Sequence, residues 1–231
     1  MNIIINGASS GIGRETALRL SADKDNQILI TGRNETEMRR MVKESINENI
    51  SCVRLDLAHI MKETKSIKYQ IFNRFSRVDI LLNIAGTLIV KDFMELSDNE
   101  SREMMDVNFF GPAALTRLVV PLMPRGSHIV NISSMGGYQG SSKYRGLSVY
   151  SASKAALSSL SECLSLELAD RGIIVNCLAL GSVQTEMFLS AFPGFNAPVT
   201  PEGMAEFIGW FAVNGNRFFN GKVLPVALGN P

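Results

Sequence analysis

Short apolar runs alternate with helix-forming stretches along the whole chain, and this alternation restricts its fold more than any other feature. The runs are Ile3–Ile5, QILITGR (Gln27–Arg33), ISCVRLDL (Ile50–Leu57), VDILLNIAG (Val78–Gly86), SHIVNISS (Ser127–Ser134), IIVNCLAL (Ile173–Leu180) and KVLPVAL (Lys222–Leu228). Helical patterns begin at Glu15–Leu20 and cover Glu35–Glu48, Lys62–Phe75, Asp98–Leu122, Val149–Ala169 and Pro201–Ala212. Strands that are apolar along their whole length are buried on both faces, and intervening helices supply the crossovers that parallel strands require. The pattern predicts an α/β fold, a doubly wound sheet of about seven mostly parallel strands with helices on both faces. No linker, repeat or low-complexity tract divides residues 1–231, so one domain is expected.

Composition narrows the partners. Hydrophobic residues make up 45% of the chain, enough to fill such a core. The formal charge is +1, from 23 basic and 22 acidic residues, with no basic run beyond pairs such as Arg39-Arg40. Nothing here suggests a nucleic-acid or membrane surface, and small molecules are the expected partners. Cys52, Cys163 and Cys177 are widely spaced, odd in number and set in apolar patterns. They are expected as buried free thiols, which suits a reducing cytoplasm, and no metal site is expected. The chain has neither a leader pattern nor an apolar run of membrane-spanning length, so a soluble, untargeted protein is expected.

In an open α/β sheet ligands gather beyond the carboxyl ends of the strands. The first such turn, in IIINGASSGIG (Ile3–Gly13), fits two mechanisms. Gly7-Ala-Ser9-Ser10-Gly11 matches a nucleophile elbow, G-x-S-x-G, of a serine hydrolase, whereas Gly7, Gly11 and Gly13 match a turn that cradles a pyrophosphate at a helix start. An elbow is expected after several earlier strands and before an acid and a histidine. Here the strand begins at Asn2, and neither His59 nor His128 has a catalytic context. The dinucleotide reading is therefore the stronger, with Ser9 a turn residue. After the second strand, where an NAD site places an acid for the ribose 2′-hydroxyl, stand Thr31-Gly32-Arg33-Asn34. A guanidinium there pairs with a 2′-phosphate, so Arg33 favours NADP(H). Asp56 can accept from the adenine amino group, and Asn83, Ala85 and Gly86 are expected to wall the adenosine side.

VYSASKAAL puts Tyr150 and Lys154 four residues apart, on one face of a helix. Free tyrosine titrates near ~10, and a neighbouring ammonium lowers that value, making Tyr150 a candidate acid and base. Ser134 ends the fifth strand and can donate to the same substrate oxygen.

Taken together, NGASSGIG, NIAG (Asn83–Gly86), VNFFG with Asn108, NISS with Ser134, and YSASK follow the order and spacing of the short-chain dehydrogenase/reductase family, which this chain resembles over essentially its whole length. The resemblance implies a Rossmann-like NAD(P)-binding domain that moves a hydride between nicotinamide and a carbonyl or alcohol carbon. It implies Tyr150 as general acid and base, Lys154 lowering its pKa and holding the nicotinamide ribose, Ser134 orienting substrate, and Asn108 supporting a water-mediated proton relay to Lys154. Cofactor contacts are implied at Gly7, Ser9, Ser10, Gly11, Ile12 and Gly13 in the first turn. Further along they are implied at Arg33 and Asn34, at Asp56 and Leu57, at Asn83, Ala85 and Gly86, at Tyr150 and Lys154, and at Gly181, Val183 and Thr185.

The chain departs from the family pattern in three places. Asn6 replaces a common Thr, Leu180-Gly181 replaces Pro-Gly, and 16 positions separate Ser134 from Tyr150, the extra ones in the Gly-rich loop GGYQGSSKYRG. Glu186–Thr200, with Met187, Phe188, Leu189, Phe192 and Phe195, reads either as an apolar substrate lid or as core. A short lid favours a small to medium, partly apolar carbonyl or 3-oxoacyl substrate. In the family the helices of Asn108 and Tyr150 pack on symmetry mates; Leu115, Leu118, Val119 and Leu122, and Leu157, Leu160, Leu164 and Leu168, suit core or interface, so a homodimer or homotetramer is expected. The non-enzymatic alternative is a dinucleotide-binding regulator, which has no use for Ser134, Tyr150 and Lys154.

Overall fold

In the computed structural model, which describes residues 1–229, seven strands form one sheet in the order β3-β2-β1-β4-β5-β6-β7, with every pairing parallel. They are β1 (Asn2–Asn6), β2 (Gln27–Gly32), β3 (Ile50–Arg54), β4 (Ile80–Asn83), β5 (His128–Ser134), β6 (Ile174–Leu180) and β7 (Val223–Val226). The order reverses between β1 and β4, where the two halves of a doubly wound sheet diverge and leave a crevice above their ends.

Helices α1 (Gly11–Ser21), α2 (Glu35–Glu44) and α8 (Pro201–Asn214) cover one face. Their Ala17, Leu20, Met38, Met41, Ile208 and Phe211 pack on Ile3, Ile5, Ile28 and Ile30. Helices α3 (Ile60–Arg74), α5 (Gly111–Val119) and α6 (Ser148–Glu167) cover the other, where Ile67, Ile71, Leu115 and Val119 meet Ile4, Leu29, Leu81 and Ile129. Neighbouring strand residues thus alternate between two cores, which is why the strands read as unbroken apolar runs.

Two expected helices differ from the sequence pattern. The helix expected over Glu35–Glu48 stops at Glu44, and Glu48 takes a φ of 51° that no helix accommodates. The helix expected over Asp98–Leu122 is interrupted. α4 (Asp98–Met105) opens on a capping box of Ser97 and Glu100, then Asp106–Phe110 forms one wider turn in which the Gly111 amide donates to the Asp106 carbonyl. The reason is Pro112, which has no amide hydrogen to offer the Asn108 carbonyl, its partner four residues back in a regular helix. The cysteines also differ from expectation: Cys177 is buried, Cys52 half-buried and Cys163 exposed, all three unbridged. Among the described residues no helix is long and apolar enough to cross a membrane, and no cluster of three or more His, Cys, Asp or Glu side chains is placed to hold a metal.

Candidate active site

A cleft of about 680 Å³ runs along the carboxyl ends of the strands, from Arg33 and Asp56 at one end to Ser134, Tyr150 and Phe195 at the other. Its middle is the glycine turn. Gly7 has φ +90°, and a Cβ there would lie 2.4 Å from the Ala85 amide nitrogen; a Cβ on Gly13 would lie 2.1 Å from the Gly7 carbonyl oxygen. Only glycine lets β1, the turn and α1 approach this closely. At the start of α1, Ser10 makes no side-chain cap bond and the first turn carries no acid, so its amides are left for an anionic ligand. These features fit a pyrophosphate, and Ser9, Ser10, Gly11 and Ile12 all line the cleft there.

The adenosine end is less uniform. Arg33 is exposed at the tip of β2, and Asp56 and Leu57 line the cleft. The Asp56 carboxylate accepts from the Ala58 amide at 3.1 Å and so starts the turn that carries it. Asn34 is turned aside, accepting from the Glu37 amide as the cap of α2. Asn83 does not wall the cleft: it is fully buried and donates to Asn131 at 2.8 Å and Thr116 at 3.3 Å, bracing β4 against β5 and α5. Ala85 and Gly86, just beyond it, do line the cleft.

At the other end three elements, β5, α6 and the wide turn, bring Ser134, Tyr150, Lys154 and Asn108 together. Ser134 ends β5 and accepts from the Gly136 amide at 3.1 Å, and Tyr150 and Lys154 lie on the first turns of α6. Gly137 lets that loop lie on α6, since a Cβ there would sit 2.5 Å from the Ala155 amide. Asn108, fully buried in the wide turn, donates to the Thr87 carbonyl and to Ser153 Oγ, both at 2.9 Å, and accepts from the Thr87 amide at 2.8 Å. A Cβ on Gly86 would be 3.2 Å from both Asn108 Oδ1 and Lys154 Nζ, so these two polar atoms flank one point on the cleft wall. Ser153, Thr87 and the Ile132 carbonyl, which receives Lys154, were not singled out from sequence; Ser153, one residue before the lysine, was the most findable of them.

Burial dominates the electrostatics at this end. Burial pushes the Tyr150 hydroxyl above its ordinary 10, opposed by a hydrogen bond with Ser134. Burial also lowers Lys154 to about 8. Both shifts have one cause, the cost of holding charge in a dry wall.

Glu186–Thr200 closes over this end. Thr185 caps a short helix, α7 (Glu186–Ala191), and its methyl would touch a Cβ on Gly11 at 3.4 Å. Val183 bridges Val199, tying the base of the segment. Met187, Phe188, Phe192 and Phe195 line the cleft, and Met187, Leu189 and Phe195 are exposed. Gly181 and Val183 line the floor below it. Opposite, the Gly-rich loop is held by Lys143, which donates to the Gly136 and Tyr138 carbonyls at 2.9 and 2.8 Å, and by an Arg145–Asp92 ion pair, so that Tyr144 reaches the cleft.

Known proteins resemble this chain in sequence and fold. Residues 1–194 match the family model described as short chain dehydrogenase. Dehydrogenase/reductase SDR family member 7B of Danio rerio is 35% identical over 202 residues, 83% of this chain, and the chain spans only 64% of that relative's length. An uncharacterized oxidoreductase of Staphylococcus saprophyticus is 31% identical over 208 residues, covering 88% of this chain and 87% of its own. A short chain dehydrogenase of Shigella flexneri solved in complex with NADP superposes with a TM-score of 0.87 at 28% identity, over 97% of this chain and 95% of that one.

Proposed function

The chain belongs to the short-chain dehydrogenase/reductase family, and on that premise we propose that it is an NADP(H)-dependent oxidoreductase that reduces a small to medium, largely apolar carbonyl compound. The observation that carries this reading is the meeting of Ser134, Tyr150, Lys154 and Asn108 at one end of a cleft whose middle is the glycine turn. A regulator that only bound dinucleotide would need the turn and Arg33 but not this end.

The glycine turn and the free amides of α1 would hold the pyrophosphate, Arg33 and Asp56 the adenosine, and Lys154, Gly181, Val183 and Thr185 the nicotinamide half. The bound nicotinamide would supply the hydride. Tyr150, protonated because burial disfavours its phenolate, would give its proton to the substrate oxygen, with Ser134 donating to the same oxygen. Asn108 would support return of that proton through water and Lys154, because Pro112 leaves its carbonyl without an α-helical donor.

Substrate class follows from the cleft wall. Leu88, Met135, Tyr144, Leu147, Phe192 and Phe195 surround the Tyr150 end, and the one buried cation there, Lys154, already donates to Ile132 at 2.9 Å. Among the described residues no second cation lines that end to hold a substrate carboxylate or phosphate, which favours neutral ketones and aldehydes. A homodimer or homotetramer in a cytoplasmic setting completes the proposal: Leu160 and Leu164 on α6, Leu168 just past its end and Leu118 on α5 are only half-buried.

The test is NADPH consumption, and separately NADH consumption, against aldehydes, ketones, diketones and 3-oxoacyl thioesters, with Tyr150→Phe as control. The expected result is turnover with NADPH that falls about 10²- to 10⁴-fold in the variant. NADPH binding with no turnover on any panel member would favour a regulator instead.

A further inference from the structure

A second cavity of about 440 Å³ opens off the cleft beyond the tip of β2, sharing Ser9, Gly11 and Arg33 with it. Its outer walls carry Arg14, Arg40 and Glu44, with Glu37 and Glu186 also lining it. Glu44 bridges the two outer arginines, one carboxylate oxygen each: Oε2 takes Arg14 at 2.6 Å and Oε1 takes Arg40 at 3.1 Å. Arg14 also pairs with Glu15 at 2.6 Å, whereas Arg33 has no ion-pair partner among the described residues.

We propose that this cavity binds the 2′-phosphate of NADP(H) by drawing Arg14 and Arg40 away from Glu44, and that Glu44 thereby sets how strongly the phosphorylated cofactor is preferred. The proposal rests on the nicotinamide-cofactor reading above. A carboxylate spanning two guanidiniums does what a phosphate monoester does with more oxygens and twice the charge. The pairs being displaced are weak: their side chains are 34% (Arg14), 72% (Arg40) and 35% (Glu44) exposed, so water screens them and exchange is easy. Three arginines face three glutamates, so the cavity as a whole offers no net positive field. A dianion is therefore welcome only by exchange with Glu44, and without that carboxylate the balance shifts in its favour. Arg33 alone would give a site with one charge-assisted partner; Arg14 and Arg40 make it three.

The test is calorimetric binding of 2′,5′-ADP and of 5′-ADP to the full chain, wild type against Glu44→Gln and Arg40→Gln, with thermal melting to verify folding. Glu44→Gln is expected to tighten 2′,5′-ADP about 3- to 10-fold and to leave 5′-ADP unchanged, and Arg40→Gln to weaken 2′,5′-ADP by a similar factor. Arg40 is exposed, so its variant carries the test even where Glu44→Gln does not fold. Unchanged or weaker 2′,5′-ADP binding in Glu44→Gln, or unchanged binding in Arg40→Gln, would overturn the exchange. Equal wild-type affinity for 2′,5′-ADP and 5′-ADP would overturn it too while leaving the cofactor reading intact. Failure of both nucleotides and of NADPH and NADH to bind would sink that reading itself.

Discussion

The ammonium of Lys154 donates to the carbonyl of Ile132 at 2.9 Å, one residue past Asn131, the last residue of β5 that pairs with β4. The lysine is only 4% exposed, and burial lowers its pKa from 10.5 to about 8. A group whose folded pKa is depressed contributes stability above its unfolded pKa and loses it as pH falls through the folded one. At pH 7 the charged lysine therefore costs about 3 kcal/mol, partly offset by about 1 to 2 kcal/mol from the Ile132 bond. Lys154→Met is expected to abolish turnover yet to raise unfolding stability at pH 7 by about 1 kcal/mol. Urea titrations should show this advantage fading between about pH 8 and 10.5, as the wild-type lysine loses its proton. A variant less stable than wild type at pH 7, or a difference that ignores pH, would contradict this account.

Asn108 is expected to act by holding Thr87 as much as by any proton relay. Its amide makes three bonds in a site with no exposure, two to the Thr87 backbone and one to Ser153. Asn108→Ala leaves buried donors and acceptors without partners, at about 1 to 3 kcal/mol each, so a loss of about 2 to 4 kcal/mol is expected. Asn108→Asp keeps the acceptor for the Thr87 amide but loses both donations, and should fare little better. Full stability in either variant, read by chemical unfolding, would mean that the clamp is unimportant.

How much of this was legible in the sequence depends on distance along the chain. The seven mostly parallel strands, the glycine turn and the Tyr150–Lys154 face follow from period and spacing, and each appears near where the sequence puts it, while the order of the strands across the sheet was not read from it. The wide turn at Asp106–Phe110 was readable in principle from Pro112, but the apolar period runs straight through it. Asn83 looked like a wall of the cleft because it ends a strand; only its register against Asn131 reveals that its side chain points into the sheet. The Arg14–Glu44 pair joins residues 30 apart on two helices, and the burial of Tyr150 and Lys154 that sets their pKa directions depends on tertiary packing. No window of sequence contains such information.

Two glycine substitutions should separate steric need from backbone freedom. Gly13 sits in a helical conformation, so alanine there is opposed by packing alone, by the backbone of Gly7 and Ala8, the nearest atom being the Gly7 carbonyl oxygen 2.1 Å from its Cβ. That oxygen belongs to the turn itself and cannot move without opening it. Gly13→Ala is expected to cost about 1 to 3 kcal/mol and to remove dinucleotide binding. Gly140 has φ +83° but nothing within 4 Å of its Cβ, so Gly140→Ala should cost only about 1 to 2 kcal/mol of conformational strain and leave binding intact. Fluorescence titration with NADPH alongside thermal melts distinguishes the two, and equal effects on binding would refute the distinction.

His128 should set the acid limit of the fold. Fully buried at the start of β5, it donates from Nδ1 to the Ala212 carbonyl at 2.9 Å and faces Asn176 Nδ2 at 3.0 Å with Nε2. The Asn176 amide cannot turn round, because its nitrogen also serves the Phe219 carbonyl and its oxygen accepts from the Lys222 amide. Nε2 must therefore accept, and a protonated ring would set one donor against another. Burial lowers this histidine from 6.5 to about 4, so its contribution is present above pH 6.5 and is lost as pH falls through about 4. The full loss is about 3 kcal/mol, and His128→Gln should flatten stability over that window even if it lowers the plateau by loosening contact with Phe211. Because His128 ties α8 to β5 and β6, amide exchange in α8 should accelerate first as the wild type is acidified. An unchanged pH slope in His128→Gln would assign the acid limit to other groups.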